Sequence, residues 1–339
     1  MIKRMFSKRS LCWKIIALVV LVVLAGAFLT WRLWLTSADG MRRSAAIVQC
    51  RSWYQLNADG QPQLYLSELQ QGDTLFRKVS LHRDSAWQYA YAEGCWMNRF
   101  AWLPSCLGRL VTVRTDTATL CRMGPHILLQ RERKMLMNRL KGLLSEDSEL
   151  KYYLRVHSVR DNGYQTIASL VVRTDSAIAD LRRTIKVIGR INPRAHLVLT
   201  RMHAYTVFYH NANGRLKRVY CLPVNRHADK QLLLLQTVSR LKPLSVLAES
   251  TMPWGGDTDG ALVAVGFEGL SEPAFADTTS HPVIIPGRQR HSRHDIAPIQ
   301  AANGAPVFSE QGRFTGIIVG REIVSRQRVA QLFKKEEVK

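Results

Sequence analysis

The side chains in this sequence that could do catalytic or metal chemistry are few, and they are scattered along the chain. The densest group is His291-Ser292-Arg293-His294-Asp295, in which two histidines stand three residues apart beside a carboxylate. That spacing suits a metal site on a helix face, but Pro286-Gly287 before it and Pro298 after it favour a loop. We therefore predict a solvated basic loop, no metal site and no cofactor.

Single histidines and one serine complete the set of candidates. His203, His210 and His227 stand alone near strand-like sequence, where surface or edge positions are the ordinary expectation. Ser309 lies inside a segment that should be a strand. A serine hydrolase needs a serine next to a histidine base, and Ser309 with His294 is the displaced pair that the sequence offers.

The elements that must position such residues differ along the chain. Residues 45–125 combine short strands with frequent turns, which favours a barrel or a sandwich. Strand-like sequence returns after Pro193 and ends in a short basic helix, Ser325–Lys335.

Between these parts, residues 127–190 read as helix and contain no proline. Residues at alternating spacings of three and four form one stripe: Tyr164, Ile167, Val171, Thr174, Ile178, Leu181, Ile185 and Ile188. Such a stripe is typical of a helix packed on another helix. We predict a helical hairpin that turns near Asp161–Gly163, either projecting from the surface or buried on a core.

The most specific pattern lies near the C-terminus. Asn303-Gly304-Ala305-Pro306 is followed by a strand, a turn that ends at Gly312, and a second strand with Gly316-Ile317. This segment resembles the nucleophile loop of trypsin-like serine proteases, especially the bacterial HtrA branch, where it reads Gly-x-Ser-Gly-Gly-Pro. In that family the tight loop presents the nucleophile and aims backbone N–H groups at the oxyanion.

Three further fragments resemble the same family in the same order. They are Gly94–Met97 with Gly108–Thr115, Ala228–Gln236, and Leu247–Ser250 with Gly256–Gly266. In all, the resemblance covers about 75–125 and 200–322. It implies a mainly β protein, a trypsin-like double β-barrel with an inserted α-helical hairpin and an N-terminal transmembrane helix.

The expected organisation has four parts. Residues 1–40 are a cytoplasmic tail and transmembrane anchor, and 41–126 are the first β-barrel half. Residues 127–192 are the hairpin, inserted between the barrels, and 193–339 are the second β-barrel half with the C-terminal helix.

The resemblance places residues without catalytic chemistry at the three positions of the catalytic triad. The serine position is Asn303, the histidine position is Thr115 and the aspartate position is Gln231, with Asp229 two residues away. Asparagine has no ionisable nucleophile, and threonine cannot act as a general base at neutral pH. Because losing one triad member costs orders of magnitude in rate, we expect no intact catalytic site.

The nucleophile-like loop can still bind a ligand without hydrolysing it. Asn303, Gly304 and Ala305 are the binding residues that the resemblance implies, although Ala305 replaces a glycine of the family pattern. An extended peptide held by main-chain hydrogen bonds needs no triad.

The N-terminus carries a membrane segment. Five basic residues and no acid occupy the first fourteen positions, and the uncharged run Ile15–Trp31 follows. As a helix it spans about 25 Å, close to the hydrocarbon thickness of a bilayer. The positive-inside rule places the N-terminus in the cytoplasm and the main domain in the periplasm or another extracytoplasmic space. Ala25-Gly26-Ala27 leaves cleavage as a signal peptide open.

The net charge of +22 does not by itself exclude any class of binding partner. Its basic residues are scattered, and the expected topology keeps them away from nucleic acid, so an anionic membrane or polyanion is the better partner. Outside the anchor there are five cysteines and no C-x-x-C pair. A Cys95–Cys106 or Cys106–Cys121 disulfide and buried free thiols both remain open.

Three functions fit the sequence. The first is an inner-membrane pseudoprotease that binds a protein or peptide, with self-association through the hairpin as a further option. The second is an active serine endopeptidase with displaced catalytic residues. The third is an envelope structural or sensor protein of unrelated β-rich fold.

Overall fold

The computed structural model describes thirteen stretches of the chain. They are residues 20–21, 36–69, 76–77, 79–98, 107–115, 124–192, 194–211, 213–224, 229–240, 246–247, 260–270, 278–291 and 293–334. Within them, no helix is long and apolar enough to cross a membrane. The expected anchor lies outside the described residues apart from Val20 and Leu21, so it stays a prediction.

The described chain is mainly β. Its strands are β1 (Ala45–Ala58), β2 (Gln61–Leu66), β3 (Glu68–Leu69), β4 (Phe76–Arg77), β5 (Gln88–Asn98), β6 (Leu107–Val113), β7 (Leu197–His210), β8 (Leu216–Val224), β9 (Leu232–Arg240), β10 (Val246–Leu247), β11 (Gly260–Gly266), β12 (Val283–Arg290), β13 (Arg293–His294), β14 (Pro306–Ser309), β15 (Phe314–Val319) and β16 (Glu322–Ser325). Its helices are α1 (Ala38–Ser44), α2 (Pro125–Val156), α3 (Tyr164–Arg190) and α4 (Arg326–Lys334), with a 3-10 turn at Arg83–Ala86.

The chain forms two compact units. Unit 1 comprises residues 1–50, 90–115 and 204–339, and unit 2 comprises 51–89 and 116–203. Strands β1, β5 and β7 run from one unit into the other.

Two six-stranded barrels confirm the expected mainly β, double-barrel architecture. In the first, neighbouring strands follow the order β5-β6-β9-β8-β7-β1, and β1 pairs with β5 to close the ring. The second is the closed ring β11-β12-β13-β16-β15-β14. A barrel leaves no open sheet edge within its ring, since every strand has two neighbours.

Strand pairing corrects the expected domain organisation. β7, β8 and β9 were expected in the second barrel, within 193–339, but they belong to the first. The helical hairpin is therefore inserted within the first barrel, between β6 and β7, and not between the two barrels. The second barrel begins only at β11. The reason is the antiparallel pairing of β9 with β6, in which Leu232 lies opposite Val113.

Strand β9 contributes side chains to the interior of the first barrel and also to a hydrophobic cluster shared with the second barrel. Its four consecutive leucines, Leu232–Leu235, are all buried. Side chains of a strand alternate between its faces. Leu233 and Leu235 thus fill the first barrel, whereas Leu232 and Leu234 pack into a cluster with residues of the second barrel such as Phe308 and Ile317. A continuous leucine run is the sequence pattern of a strand buried on both faces.

The helical hairpin of unit 2, formed by α2 and α3, agrees with its sequence pattern. The turn between the helices lies at residues 157–163, where Gly163 adopts a positive φ of 90°. Val171, Thr174, Ile178 and Ile188 of the predicted stripe are buried. Lys151 joins the helices by binding Asp147 on α2 and Asp175 on α3, each at 2.8 Å. These carboxylates raise the pKa of Lys151.

The expectation that Pro286-Gly287 indicates a loop is wrong. Pro286 and Gly287 lie in the middle of β12, opposite Val263 and Leu262 of β11, and Arg293–His294 is the short strand β13. Gly287 is required there, because a Cβ atom would lie 2.5 Å from the Ile296 side chain. The glycine marks close packing in this strand, as isolated strand glycines often do.

Candidate functional site

The structure brings Thr115, Gln231 and Asn303, the three positions expected to match a triad, to one end of the first barrel, within unit 1. Thr115 follows β6 and Gln231 precedes β9, and the Arg114 N–H beside Thr115 donates to the Gln231 carbonyl at 2.7 Å. Gly94 of β5 lies opposite Thr112 of β6, so the neighbouring Glu93 belongs to the same end. Asn303 joins this group through its carbonyl, which accepts from the Glu93 N–H at 2.8 Å.

The Asn303 side chain is hydrogen-bonded to the backbone of a neighbouring turn. Its side-chain oxygen Oδ1 accepts a hydrogen bond from the Gly320 N–H at 2.6 Å, and Gly320 begins the turn between β15 and β16. The Asn303 side chain thus caps a neighbouring turn. An amide oxygen used in this way is a structural acceptor and has no ionisable proton to give up.

The amides of the loop are largely used inside the protein. Of residues 301–305, Ala301 donates to Ala297, Gly304 to Ile318 and Ala305 to Ala302, and Ala302 donates to the Glu93 carboxylate. An oxyanion hole needs N–H groups that point at the ligand. Four of these five amides therefore have internal acceptors.

The expected binding residues differ in their accessibility. Asn303 is exposed, whereas Gly304 and Ala305 are buried. Ligand binding at these three residues stays a prediction, and Asn303 is the one that a ligand can reach from solvent.

Glu93 is the residue of this site that sequence reasoning missed. Its carboxylate oxygen Oε1 accepts from the Phe267 N–H at 2.9 Å, just after β11, and from the Ala302 N–H at 3.0 Å. Its backbone carbonyl accepts from the Thr112 hydroxyl at 2.6 Å. One residue of the first barrel thereby fixes two segments of the second. The only signal in the sequence is an acid in the strand-like run Tyr91–Trp96.

The Glu93 carboxyl is buried, and its two oxygen atoms differ in their hydrogen bonding. It is fully inaccessible to solvent, and Oε2 makes no hydrogen bond to any described residue. Burial raises the pKa of Glu93 to about 8, while the Phe267 and Ala302 amides act in the opposite direction. Near neutral pH the group is therefore mostly protonated.

Gly304 packs against the same residue. Its φ is +100°, and a Cβ atom would lie 1.8 Å from the Glu93 carbonyl oxygen. Only glycine fits both the backbone conformation and the space.

Asp229, the acid nearest to the aspartate position, is already committed elsewhere. Oδ1 accepts from the Gln231 and Leu232 amides, and the carboxylate pairs with Arg328 of α4 through two bonds of 2.8 and 3.1 Å. Partial burial opposes ionisation, but these bonds outweigh it and lower the pKa of Asp229. The Asp229 carboxylate ties α4 to the start of β9.

The displaced pair of Ser309 and His294 is not assembled. Ser309 Oγ accepts from the Arg313 N–H at 3.2 Å within a β-turn, and the described structure contains no hydrogen bond between Ser309 and His294. Partial burial lowers the pKa of His294. The His210 ring lies at a tilt of 31° to the His281 ring, with ring centres 4.5 Å apart. His227 lies outside the described residues.

The described residues hold no group of three or more metal-binding side chains. Cys50, Cys95 and Cys221 are buried and form no disulfide, so a Cys95–Cys106 disulfide is not formed. Cys106 and Cys121 lie outside the described residues.

Comparison with known proteins gives low similarity. No protein-family model matches the chain, and no curated protein sequence is similar to it. Among solved structures, Deg5 is 11% identical with a TM-score of 0.37, covering 89% of this chain and 90% of Deg5. The MamO protease domain from Magnetospirillum magneticum (apo form) is 16% identical with a TM-score of 0.30, covering 38% of this chain and 75% of that domain.

The Rv3671c protease in its inactive form is also 16% identical, with a TM-score of 0.26. That match covers 40% of this chain and 83% of the Rv3671c chain. The assignment of the double-barrel fold rests on the strand order of the two rings.

Replacement of Gly304 by alanine tests the contact with Glu93. We expect Gly304→Ala to lower the free energy of unfolding by about 3 kcal/mol or more, because the added Cβ atom meets a backbone oxygen and φ is unfavourable. Denaturant unfolding of the full chain in non-ionic detergent measures the effect. Gly320→Ala is the matched control: φ is +66° but no atom lies within 4 Å of the new Cβ, so the loss should be about 1 kcal/mol. Equal losses would contradict the steric argument.

Replacement of Glu93 by glutamine tests the buried proton. The folded protein keeps this proton up to pH about 8, whereas the unfolded chain releases it near 4.5. The stability of wild type should therefore fall by about 1.4 kcal/mol per pH unit between these values because of this group. Glu93→Gln should remove that slope in denaturant unfolding followed across the same range, and should be the more stable protein at its alkaline end.

The control for this prediction is Glu310→Gln, which removes an exposed acid. It should leave the slope as in wild type. A Glu93→Gln protein with an unchanged slope would mean that the carboxyl at position 93 ionises in the folded state as it does in the unfolded chain.

Proposed function

We propose that this protein is a membrane-anchored, extracytoplasmic binding module that has the architecture of a trypsin-like protease and does not hydrolyse its ligand. The observation that carries the proposal is the hydrogen bond from the Gly320 N–H to Asn303 Oδ1. It gives the side chain at the nucleophile position a structural role. Thr115 and Gln231, at the other two positions, offer neither a general base nor a carboxylate.

The strand pairing of β15 bears on where a partner binds. β15, which follows the nucleophile-like loop, is hydrogen-bonded to β14 on one side and to β16 on the other. An added peptide strand needs an unpaired edge, and β15 has none along 316–317. The partner surface is better sought elsewhere.

The helical hairpin is the surface that we propose for the partner. Near its turn it exposes four apolar side chains by more than half: Tyr152 (63%), Val156 (56%), Val159 (62%) and Val172 (70%). Exposed apolar groups of this kind, if contiguous, mark protein interaction sites. The partner is a protein, either a different one or a second copy of this chain.

The two alternatives are weaker. A displaced hydrolase would need Ser309 and His294 in contact, and Ser309 instead accepts from its own turn. An unrelated β-rich fold gives no reason to expect two six-stranded rings, and the structure contains both. The anchor and the extracytoplasmic location are supported by the basic, acid-free N-terminus and the uncharged run that follows.

Activity-based labelling tests the absence of hydrolysis. We expect that a serine-reactive fluorophosphonate will not label the full chain in detergent micelles, and that casein will stay intact. The variant Asn303→Ser should also remain unlabelled, because a serine without a neighbouring base stays a weak nucleophile. Labelling of wild type that is abolished by Ser309→Ala would show a serine enzyme and sink the proposal.

Site-specific photo-crosslinking tests the hairpin as the partner surface. We expect a photoreactive residue at Tyr152 or Val156 to form a defined adduct in native membranes, either with one other protein or with a second copy of the chain. Position Arg215, which is exposed on the β7–β8 turn, is the control and should give no such adduct. Adducts from both positions alike, or from neither, would argue against the hairpin.

A further inference from the structure

The strands β12 and β13 form a short ribbon that places three arginines on one face. Arg290 lies directly opposite Arg293 in the antiparallel register. Arg288 precedes Arg290 by two residues and so points to the same face. All three are exposed, and together with His291, His294 and Asp295 they line a cavity of about 700 Å³.

This arrangement costs stability without a ligand. Two like charges directly opposite each other on neighbouring strands are destabilising. Within the described part of the chain, none of the three guanidinium groups makes an ion pair. The acids nearby do not neutralise them: Asp295 accepts from the Arg288 backbone N–H at 2.7 Å, and Glu322, opposite Arg293 on β16, forms no ion pair.

Hydrogen bonds brace the backbone of the ribbon. The Gln289 side chain donates to the His291 carbonyl at 2.6 Å, and the His294 N–H donates to the Arg321 carbonyl at 3.2 Å. His291 turns the chain with a positive φ of 58°. Behind the ribbon, Gly287 packs tightly on Ile296. Because the backbone is braced, only the arginine side chains need to be ordered when a ligand binds.

We propose that this cavity binds an anion that carries two or more phosphate groups. The planar guanidinium group binds phosphate oxygens through two parallel hydrogen bonds. A cavity of about 700 Å³ is larger than one phosphate group needs. Three arginines on one ribbon match several phosphate groups in a row, either in a soluble polyphosphate or in phospholipid headgroups. This proposal does not depend on whether the protein hydrolyses a ligand.

Calorimetric titration of the full chain in non-ionic detergent at low ionic strength tests the site. The probes are sodium tripolyphosphate and, as the headgroup source, dihexanoyl phosphatidylinositol 4-phosphate at monomeric concentration, whose headgroup carries two phosphate groups. We expect saturable binding of at least one probe, and a loss of about tenfold or more in affinity for Arg290→Gln/Arg293→Gln.

The matched control is Arg160→Gln/Arg173→Gln, which removes two exposed arginines from unit 2. It changes the net charge by the same amount and should bind as wild type does. If the ribbon variant loses binding of tripolyphosphate alone, the ligand is a soluble polyphosphate; if it loses binding of phosphatidylinositol 4-phosphate alone, the ligand is a lipid headgroup.

Two results overturn the proposal: equal weakening in both double variants, or no saturable binding of either probe by wild type. The melting temperature of the ribbon variant should not fall, because its repulsion is relieved. If it does not fold, Arg290→Lys/Arg293→Lys replaces it. That variant keeps the charge and loses the planar fork, and it should still bind more weakly than wild type.

Discussion

The buried carboxyl of Glu93 is the contact on which the candidate site depends. It lies on β5 of the first barrel, yet it holds the amides of Phe267 and Ala302, which belong to the second. A buried carboxyl with one oxygen unpaired is costly unless its remaining bonds are strong. Here those bonds fix the loop that carries Asn303, and Gly304 completes the contact from the other side.

That constraint also gives the loop at residues 301–305 a structural role of its own. Once the loop amides have internal acceptors and Asn303 caps the β15–β16 turn, the segment contributes to the folding of the second barrel. Selection for stability alone would then keep Gly304 and Asn303. A fold does not determine its chemistry, which resides in the individual side chains placed upon it.

The resemblance of four short fragments to a known family predicted the double barrel. The helical hairpin and its turn were predicted from residue spacing within one stretch of chain. The sequence could not assign β7, β8 and β9 to the first barrel, since that depends on the pairing of β9 with β6 across more than a hundred residues. β12 was taken as a loop because Pro286-Gly287 is usually a breaker. Glu93 was overlooked because its role exists only through Phe267 and Ala302, which are distant in sequence.

In the chain, the helical hairpin is inserted between two strands of the first barrel, and this position affects how the chain folds. Between β6 and β7 lie residues 114–196, a long separation for strands of one ring. Such non-local pairing slows folding, because loop closure is unfavourable before the strands make contact. An antiparallel pair of helices with its own apolar contacts can form first from local interactions alone. The insert is then compact, and the entropy cost of closing a free loop of this length is avoided.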